Sequence, residues 1–186
     1  MKVTTRLVCL GFFLAMLTSS QSFAGDITFD AVESKHWLTV NDNVMGGISY
    51  SHFTYHQGYS TFSGYLSLEN NGGFASVRRL ISPDFSAASS IKLIIKGDGR
   101  RYQFRLKTHN LYEGAAYVAE FTTTPNQWQT VQFSEADFSP RYRGKALSSM
   151  PALNFSDAMQ VSLLIADKKA GKFKLSIKSI QLLQSI

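Results

Sequence analysis

Cysteine is nearly absent from this sequence, whose 186 residues include only Cys9. A single thiol excludes an intramolecular disulfide, and it offers no cysteine cluster for a zinc site. The fold must therefore rest on its hydrophobic core. A chain of this length can bury enough apolar surface to form one stable domain.

Long hydrophobic runs are also missing, apart from one near the N-terminus. Lys2 and Arg6 precede the apolar stretch LVCLGFFLAML, and the small and polar residues TSSQSFA follow it. This order is typical of a secretory signal peptide. We therefore predict a signal peptide over residues 1–24, cleavage near Ala24, and a single domain over residues 25–186 in the periplasm or outside the cell. No later run reaches the roughly 18 apolar residues of a membrane helix, so the mature chain is predicted to lack one.

The sequence shows no sustained helical periodicity, and apolar residues instead recur at every second position. The stripes are Phe62, Leu66 and Leu68; Ile91, Leu93 and Ile95; Tyr102, Phe104 and Leu106; Ala115, Tyr117, Ala119 and Phe121; Val131 and Phe133; Met159, Val161, Leu163 and Ile165; and Phe173, Leu175 and Ile177. Such alternation is typical of strands with one buried and one solvated face. With the turn residues between the stripes, it predicts an all-β fold, an antiparallel β-sandwich or jelly roll of roughly eight to ten strands. Two short helical turns are predicted at residues 134–137 and near residues 156–158.

Catalytic and metal-binding motifs are scarce. The glutamates form no paired motif for glycoside hydrolysis, and no G-x-S-x-G segment marks a nucleophilic serine. His52 and His56 would lie roughly 13 Å apart on an extended strand, too far to share one metal ion. Gly97, Asp98 and Gly99 lack the third glycine of a dinucleotide fingerprint, and they suit a hairpin turn. We therefore predict no enzyme activity, no metal site and no cofactor.

The segment NDNVMGG, residues 41–47, admits two interpretations. Asp42 and its asparagine neighbours could supply oxygen ligands to a cation, although a calcium site usually gathers several carboxylates. Alternatively, Asp42 accepts hydrogen bonds from backbone N–H groups and stabilises a turn. Gly46 and Gly47 would then adopt backbone conformations that are unfavourable for residues with a Cβ atom. The turn is the favoured interpretation.

Four long polar side chains alternate along one predicted strand, namely Arg101, Gln103, Arg105 and Lys107. They should share one face of that strand, opposite Tyr102. Such a donor-rich strip could bind carboxylates, phosphates or sugar hydroxyls. It could equally be a solvent-facing surface whose charges pair across strands with Glu120.

Five segments, taken in order, carry a family resemblance: TVNDNVMGGISYSHF, GYLSLENNGGFASVRR, IKGDGRRYQFRLKT, QWQTVQFSEADFSPRYRGKAL and LLIADKKAGKFKLSIKSI. From about Trp37 to Ile180 the chain resembles the complex I intermediate-associated protein 30 family. The resemblance implies a galactose-binding-domain-like jelly roll that ends in a closing hairpin. The positions that match the family's elements are Asp42, Met45, Gly46, Gly47 and Ser49; Gly97, Asp98, Gly99 and Tyr102; Trp128, Phe138 and Gly144; and Asp167, Gly171 and Phe173.

The resemblance also implies a binding protein without catalytic activity, because mitochondrial members of the family are assembly factors for respiratory complex I. The predicted signal peptide separates this chain from those matrix proteins and indicates an exported module. Together, the resemblance and the missing catalytic motifs favour a module that binds a protein partner. The alternative is a carbohydrate-binding module for envelope or extracellular glycans, and no nucleic-acid partner is expected. The candidate ligand-binding residues are Asp42, Met45, Ser49, Arg101, Tyr102, Gln103, Arg105 and Lys107.

Overall fold

The computed structural model describes residues 23–81, 85–109 and 114–184, so the predicted signal peptide falls outside them except for its last two residues. In these residues the chain forms thirteen strands: β1 Phe23–Thr28, β2 Leu38–Asn41, β3 Tyr50–His56, β4 Tyr59–Leu66, β5 Ala75–Leu80, β6 Ser90–Lys96, β7 Arg101–Thr108, β8 Ala115–Thr122, β9 Trp128–Phe133, β10 Ser139–Tyr142, β11 Lys145–Ala146, β12 Ala158–Ile165 and β13 Gly171–Leu183. Short 3-10 helices span Glu33–His36, Asp42–Met45, Glu69–Asn71, Glu135–Asp137 and Phe155–Asp157. The last two confirm the predicted helical turns.

The strands form two antiparallel sheets that enclose one core. The six-stranded sheet has the order β3-β4-β13-β6-β9, with β1 paired to the second half of β13. The seven-stranded sheet has the order β11-β10-β8-β7-β12-β5-β2. The predicted antiparallel β-sandwich is thus confirmed, and the strands beyond the predicted number are short ones such as the two-residue β11.

The predicted cleavage position lies within β1. Cleavage after Ala24 would leave the register pairs from Gly25–Leu182 to Thr28–Ser179 in place. A mature chain that begins at Gly25 would therefore keep most of the pairing between β1 and β13.

The core lies between the inner faces of the two sheets, and the predicted stripes line it. The stripe Tyr102, Phe104 and Leu106 on β7 is fully buried, as is the stripe Ile91, Leu93 and Ile95 on the facing β6. Aromatic rings fill much of the space, with the ring centroids of Phe104 and Phe133 5.8 Å apart. Each Å² of apolar surface removed from water contributes roughly 25 cal/mol, so this core supplies the stability that a cysteine-poor chain needs.

Two residues of the predicted stripes depart from the core. Met159 is exposed because the pairing between β12 and β7 shifts register between Ala158 and Gln160, which breaks the alternation at that point. Leu68 is exposed because β4 ends at Leu66 and a 3-10 helix begins at Glu69. Both predictions were wrong for the same reason, since alternation holds only while the strand is regular.

The hairpin predicted at Gly97–Gly99 is also wrong, because β6 and β7 belong to different sheets. Gly99 has a φ of +91°, and the segment turns the chain from the six-stranded to the seven-stranded sheet. The stretch from Asp167 to Phe173, expected as a closing hairpin, likewise leads from β12 to β13 in the opposite sheet. Turn chemistry predicts a change of direction but not the sheet that the next strand joins.

Candidate functional site

Asp42 holds the turn that contains the double glycine. Its side chain is buried and accepts four hydrogen bonds: from the backbone N–H of Ser49 (2.9 Å), the Oγ of Ser49 (2.5 Å), and the backbone N–H groups of Gly73 (2.6 Å) and Phe74 (3.3 Å). A Cβ atom on Gly47 would lie 2.4 Å from the Asp42 Cγ, so only glycine fits against the carboxylate. The geometry matches the turn-holding role predicted for Asp42.

This bonding also sets the charge of Asp42. Burial alone would raise the pKa of its carboxyl, but the hydrogen bonds from Ser49, Gly73 and Phe74 outweigh burial and lower the pKa from its ordinary value. The carboxylate is therefore saturated with donors from its own chain. Ser49 is buried beside it, while Met45 is exposed in the adjoining 3-10 helix. Of these three candidate ligand-binding residues, the structure places only Met45 on the surface.

A second polar cluster connects the turn between β6 and β7 to β13 and to the segment that precedes it. The Arg100 guanidinium donates to both carboxylate oxygens of Asp167, at 2.9 and 2.6 Å, and to the backbone carbonyls of Gly171 and Lys172. Asp98 accepts the backbone N–H of Lys174 at 2.7 Å. Burial would raise the pKa of Asp167, but the ion pair with Arg100 outweighs it and lowers that pKa.

Tyr102 belongs to this polar cluster and not to a ligand site. Its ring is fully buried on the inner face of β7, and its hydroxyl donates to Asp98 at 3.0 Å. Burial raises the pKa of the Tyr102 hydroxyl far above its ordinary value. The prediction that Tyr102 contacts a ligand is therefore corrected, because strand alternation turns it away from the neighbouring cations.

The outer face of the seven-stranded sheet carries the predicted polar strip. Register places Ser162 of β12 between Arg78 of β5 and Arg105 of β7, so these three residues form one row across the sheet. In the next row, Gln160 pairs with Lys107. Residues in one row share a face, and neighbouring strands lie about 4.8 Å apart. The two arginines therefore stand roughly 10 Å apart at their backbones, with a serine between them.

A groove of about 180 Å³ lies on this face. Its small lining residues are Ser76, Gly114, Ala116 and Ser162. Its long polar residues are Arg78, Arg105, Lys107 and Gln160, and its apolar residues are Val40, Phe74 and Leu164. Because short side chains sit between long ones, the sheet surface is depressed at Ser162 and raised at its cationic neighbours. We call this feature the β5–β12–β7 groove.

The cations of the β5–β12–β7 groove have no acidic partner among the described residues. Ion pairs in the described part of the chain involve other arginines or His36, and none includes Arg78, Arg105 or Lys107. The Arg105 Nε is buried without a hydrogen-bond partner in those residues. Burial lowers the pKa of Arg105 from its ordinary value, yet a guanidinium remains charged at neutral pH. The groove thus presents three cations that no described carboxylate neutralises.

The other half of the predicted strip is partly neutralised. Gln103 donates to Glu120 at 3.0 Å, and Glu120 also lies 4.0 Å from the Arg101 guanidinium and 3.7 Å from that of Arg141. The predicted cross-strand pairing with Glu120 is confirmed for these residues. Arg101 instead lines a separate depression of about 280 Å³ together with Thr122. The strip is therefore divided, and only Arg105 and Lys107 face the β5–β12–β7 groove.

Exposed aromatic side chains lie on the opposite sheet. On the outer face of the six-stranded sheet, the ring centroids of Tyr59 and Trp128 are 5.6 Å apart, and the Lys96 ammonium lies 5.1 Å from the Trp128 ring. Tyr50 and Tyr65 stack at 6.2 Å on the same sheet. These aromatics lie on the outer face of the six-stranded sheet, which we call the aromatic face. The cationic groove lies on the outer face of the seven-stranded sheet, which we call the open face.

The described residues contain neither a cluster of metal-ligating side chains nor a helix long enough to span a membrane. Within residues 23–81, 85–109 and 114–184, no three His, Cys, Asp or Glu side chains are arranged to hold a metal ion. The helices in those ranges are all too short to cross a membrane.

Sequence comparison settles the family. Residues 26–177 match the family model described as Complex I intermediate-associated protein 30. The chain belongs to the complex I intermediate-associated protein 30 family. The resemblance seen in the five sequence segments is thus confirmed. The chain is also similar to the Schizosaccharomyces pombe protein C9E9.15, with 29% identity over 182 residues that cover 83% of this chain and 82% of that protein.

Solved structures similar to this family member include carbohydrate-binding modules. The family 11 module of Clostridium thermocellum, solved with a β-1,3-1,4-mixed-linked tetrasaccharide, superimposes with a TM-score of 0.64 at 19% identity and covers 89% of this chain and 99% of that chain. The family 11 module of the cellulosomal cellulase Lic26A-Cel5E, from the same organism, gives 0.63 at 16% identity and covers 88% of this chain and 95% of that chain. At these identities the likeness shows the fold alone, which confirms the predicted jelly roll.

The family-motif positions are mostly structural in this member. Phe138 and Phe173 pack in the core, and Gly97 packs so closely that a Cβ atom would lie 2.3 Å from the Thr123 Oγ1. Gly144 has a φ of +80° in the turn between β10 and β11. Met45 and Trp128 are exceptions, because Met45 is 54% exposed and Trp128 is 44% exposed, the latter on the aromatic face. The motif that carries the resemblance therefore maintains corners and turns, and the groove is built from other residues.

Sequence reasoning missed Arg78, Gln160 and Ser162 as groove residues. Alternation does place Arg78 on one face of its strand, since the next residue, Arg79, is buried. The signal was therefore present for β5, but the pairing of β5, β12 and β7 joins positions distant in sequence. No local pattern indicates that Arg78 and Arg105 flank the same serine.

Proposed function

We propose that this protein is a non-catalytic binding module that holds a saccharide chain in the β5–β12–β7 groove. One observation carries the proposal: Arg78, Arg105 and Lys107, which form no ion pair with another described residue, surround a depression floored by small side chains. Sugar hydroxyls accept hydrogen bonds from such donors. Val40, Phe74 and Leu164 add apolar surface for the less polar faces of a sugar ring.

The fold supports this proposal by analogy. The family 11 module that shares the fold was solved with a bound tetrasaccharide. A jelly roll hosts many functions, so the side chains that line the groove, and not the shared fold, determine what it binds. A glycoside hydrolase places a pair of carboxylates about 5 to 10 Å apart in its cleft. The described lining of the groove offers donors and small residues and contains no aspartate or glutamate, which supports binding without hydrolysis.

A second candidate function is binding of a protein partner during assembly of a membrane complex. Family membership supports it, and the aromatic face supplies a surface on which a protein could pack. Tyrosine and tryptophan are enriched at protein interfaces because they bury a large area and keep a polar group. The two candidates use opposite sheets, so variants on one sheet can separate them.

Export belongs to the same proposal. The N-terminal segment with its charged, apolar and small-residue regions supports transport across a membrane, so the ligand would be met outside the cytoplasm. N-terminal sequencing of the exported protein should begin near Gly25. A mature protein that begins at Met1 would remove this part of the proposal.

The saccharide proposal is tested by binding of the purified protein to a panel of immobilised neutral and acidic polysaccharides. We expect retention on at least one polysaccharide and about tenfold weaker retention for Arg105→Ala, which removes the central donor. Lys178→Ala is the matched control, because this lysine is exposed on β13 of the opposite sheet. Retention by none of the polysaccharides, or equal retention by Arg105→Ala, would contradict the proposal.

A further inference from the structure

The open face has an unbalanced charge that the proposed function does not require. Its outward positions on β2, β5, β12, β7, β8 and β10 include five cations and one carboxylate among the described residues. The cations are Arg78, Arg101, Arg105, Lys107 and Arg141, and the carboxylate is Glu120. Glu120 lies beside Gln103, Arg101 and Arg141 and so compensates the part of the face away from the groove. Within the part of the chain that the structure describes, the uncompensated charge is concentrated in the β5–β12–β7 groove.

Arg105 is the centre of this charge. It stands on β7 between β12 and β8, and its Nε is buried without a hydrogen-bond partner in the described residues. A buried donor that lacks a partner is costly to the folded protein, and a buried charge is more costly still. A ligand that accepts from this guanidinium would remove that cost on binding. Sugar hydroxyls are neutral acceptors, whereas a carboxylate also compensates the charge.

The row geometry favours a carboxylate group in particular. Ser162 separates Arg78 from Arg105, and Lys107 lies one row away beside Gln160. An acidic group above Ser162 would therefore meet guanidinium forks from two sides and an ammonium from a third. The planar guanidinium matches the two oxygens of a carboxylate, and the hydroxyl of Ser162 can also donate to it.

We infer that the β5–β12–β7 groove selects acidic glycans, with a uronate carboxylate bound over Ser162 between Arg78 and Arg105. This inference rests on the proposed saccharide-binding function and adds its substrate class. Single-stranded nucleic acid fits the observations less well, because its binders stack successive bases on several aromatic side chains. Phe74 is the aromatic residue among the described lining residues of the groove.

The experiment compares two polymers with the same backbone and different charge. Polygalacturonate and its fully methyl-esterified form are titrated into the purified protein, with a neutral mixed-linked β-glucan as the third ligand. We expect polygalacturonate to bind at least about tenfold more tightly than the ester, because esterification removes the charge that the arginines pair with. Arg105→Gln should remove most of this preference. Lys178→Gln, which removes the same charge from the opposite sheet, should stay within about twofold of the parent.

The outcomes separate this inference from the proposed function. Equal affinity for polygalacturonate, its ester and the β-glucan, with all three weakened by Arg105→Gln, would overturn acidic selection and keep the glycan-binding function. Binding of none of these polymers would overturn the inference, and binding of no glycan in the wider panel would also remove the function. If Arg105→Gln and Lys178→Gln weaken polygalacturonate binding equally, the attraction is unspecific for polyanions and the inference is overturned. The same conclusion follows if a single-stranded oligonucleotide binds as tightly as polygalacturonate and also depends on Arg105. Because Arg105 is partly buried, Lys107→Gln serves as a second variant, and circular dichroism verifies the fold of each.

Discussion

Arg78 and Arg79 are neighbours in the chain and lie on opposite faces of the seven-stranded sheet. Arg78 is exposed and lines the β5–β12–β7 groove. Arg79 is 7% exposed, donates to the Glu33 carboxylate, and donates through its Nε to the Leu80 carbonyl at 2.8 Å. Because strand residues alternate between faces, Arg78 lies on the surface where a ligand would bind, and Arg79 points inward and stabilises the fold.

Alanine substitution of each arginine should therefore have a different effect. Arg79→Ala leaves Glu33 half-buried without its cation, and we expect it to lower the free energy of unfolding by about 3 kcal/mol. Arg78→Ala should change that free energy by less than about 0.5 kcal/mol, since it removes an exposed side chain. Urea unfolding measures both values. Equal destabilisation by the two variants would contradict the opposite placement of the arginines.

Stability should fall in acid through Asp42. The folded-state pKa of its carboxyl is lower than the ordinary value that applies to the unfolded chain. Such a group contributes stability above the unfolded pKa, and the contribution disappears as the pH falls through the folded pKa. We therefore expect the free energy of unfolding to drop below about pH 4, where aspartates begin to bind protons. Asp167 shifts in the same direction and adds to the drop.

Asp42→Asn measures how much the Asp42 carboxylate alone contributes to the loss of stability in acid. The amide keeps the size of the side chain, cannot ionise, and offers one acceptor oxygen to donors that now reach two. We expect a loss of about 2 kcal/mol at neutral pH, from weakened and unsatisfied hydrogen bonds. The difference between variant and parent should shrink toward low pH in a series of urea titrations. A difference independent of pH would show that the Asp42 charge does not contribute.

The two glycines after Met45 should respond differently to alanine. A Cβ atom on Gly47 would lie 2.4 Å from the Asp42 Cγ, whereas a Cβ atom on Gly46 meets nothing within 4 Å. Gly46→Ala should therefore cost only the strain of its φ of +92°, about 1 kcal/mol. Gly47→Ala should cost at least about 2 kcal/mol, since buried atoms must move. In thermal unfolding, the Gly47 variant should have the lower Tm, and the reverse order would rule out close packing on Asp42.

Much of this architecture could be predicted from local patterns, because alternation within a strand depends on neighbouring residues alone. It correctly placed Phe104 and Leu106 in the core and Arg105 and Lys107 on the outer face. The same rule already indicated that Tyr102 faces inward, opposite the polar strip, so its inclusion among the ligand-binding candidates conflicted with its strand position.

The groove could not be predicted in this way. Its central row depends on which strands pair and in what register, and Arg78, Arg105 and Ser162 come from three distant segments. Likewise, the glycines near Asp98 indicated a turn, but the destination of β7 in the other sheet is set by packing across the whole sandwich. Long-range pairing therefore determines the candidate site, while short-range pattern determines the strands that carry it.

The two candidate functions can be separated on the aromatic face. Trp128 is exposed beside Tyr59 and Lys96 and lies on the sheet opposite the groove. Trp128→Ala should leave polysaccharide binding within about twofold of the parent, because distant, unconnected sites act independently. If a protein partner packs on this face, the same variant should lose the partner in crosslinking and affinity purification from the native host, because truncating a central aromatic anchor costs about 2 kcal/mol or more. Partner recovery that depends on Arg105 and not on Trp128 would instead locate the protein in the groove and count against a saccharide there.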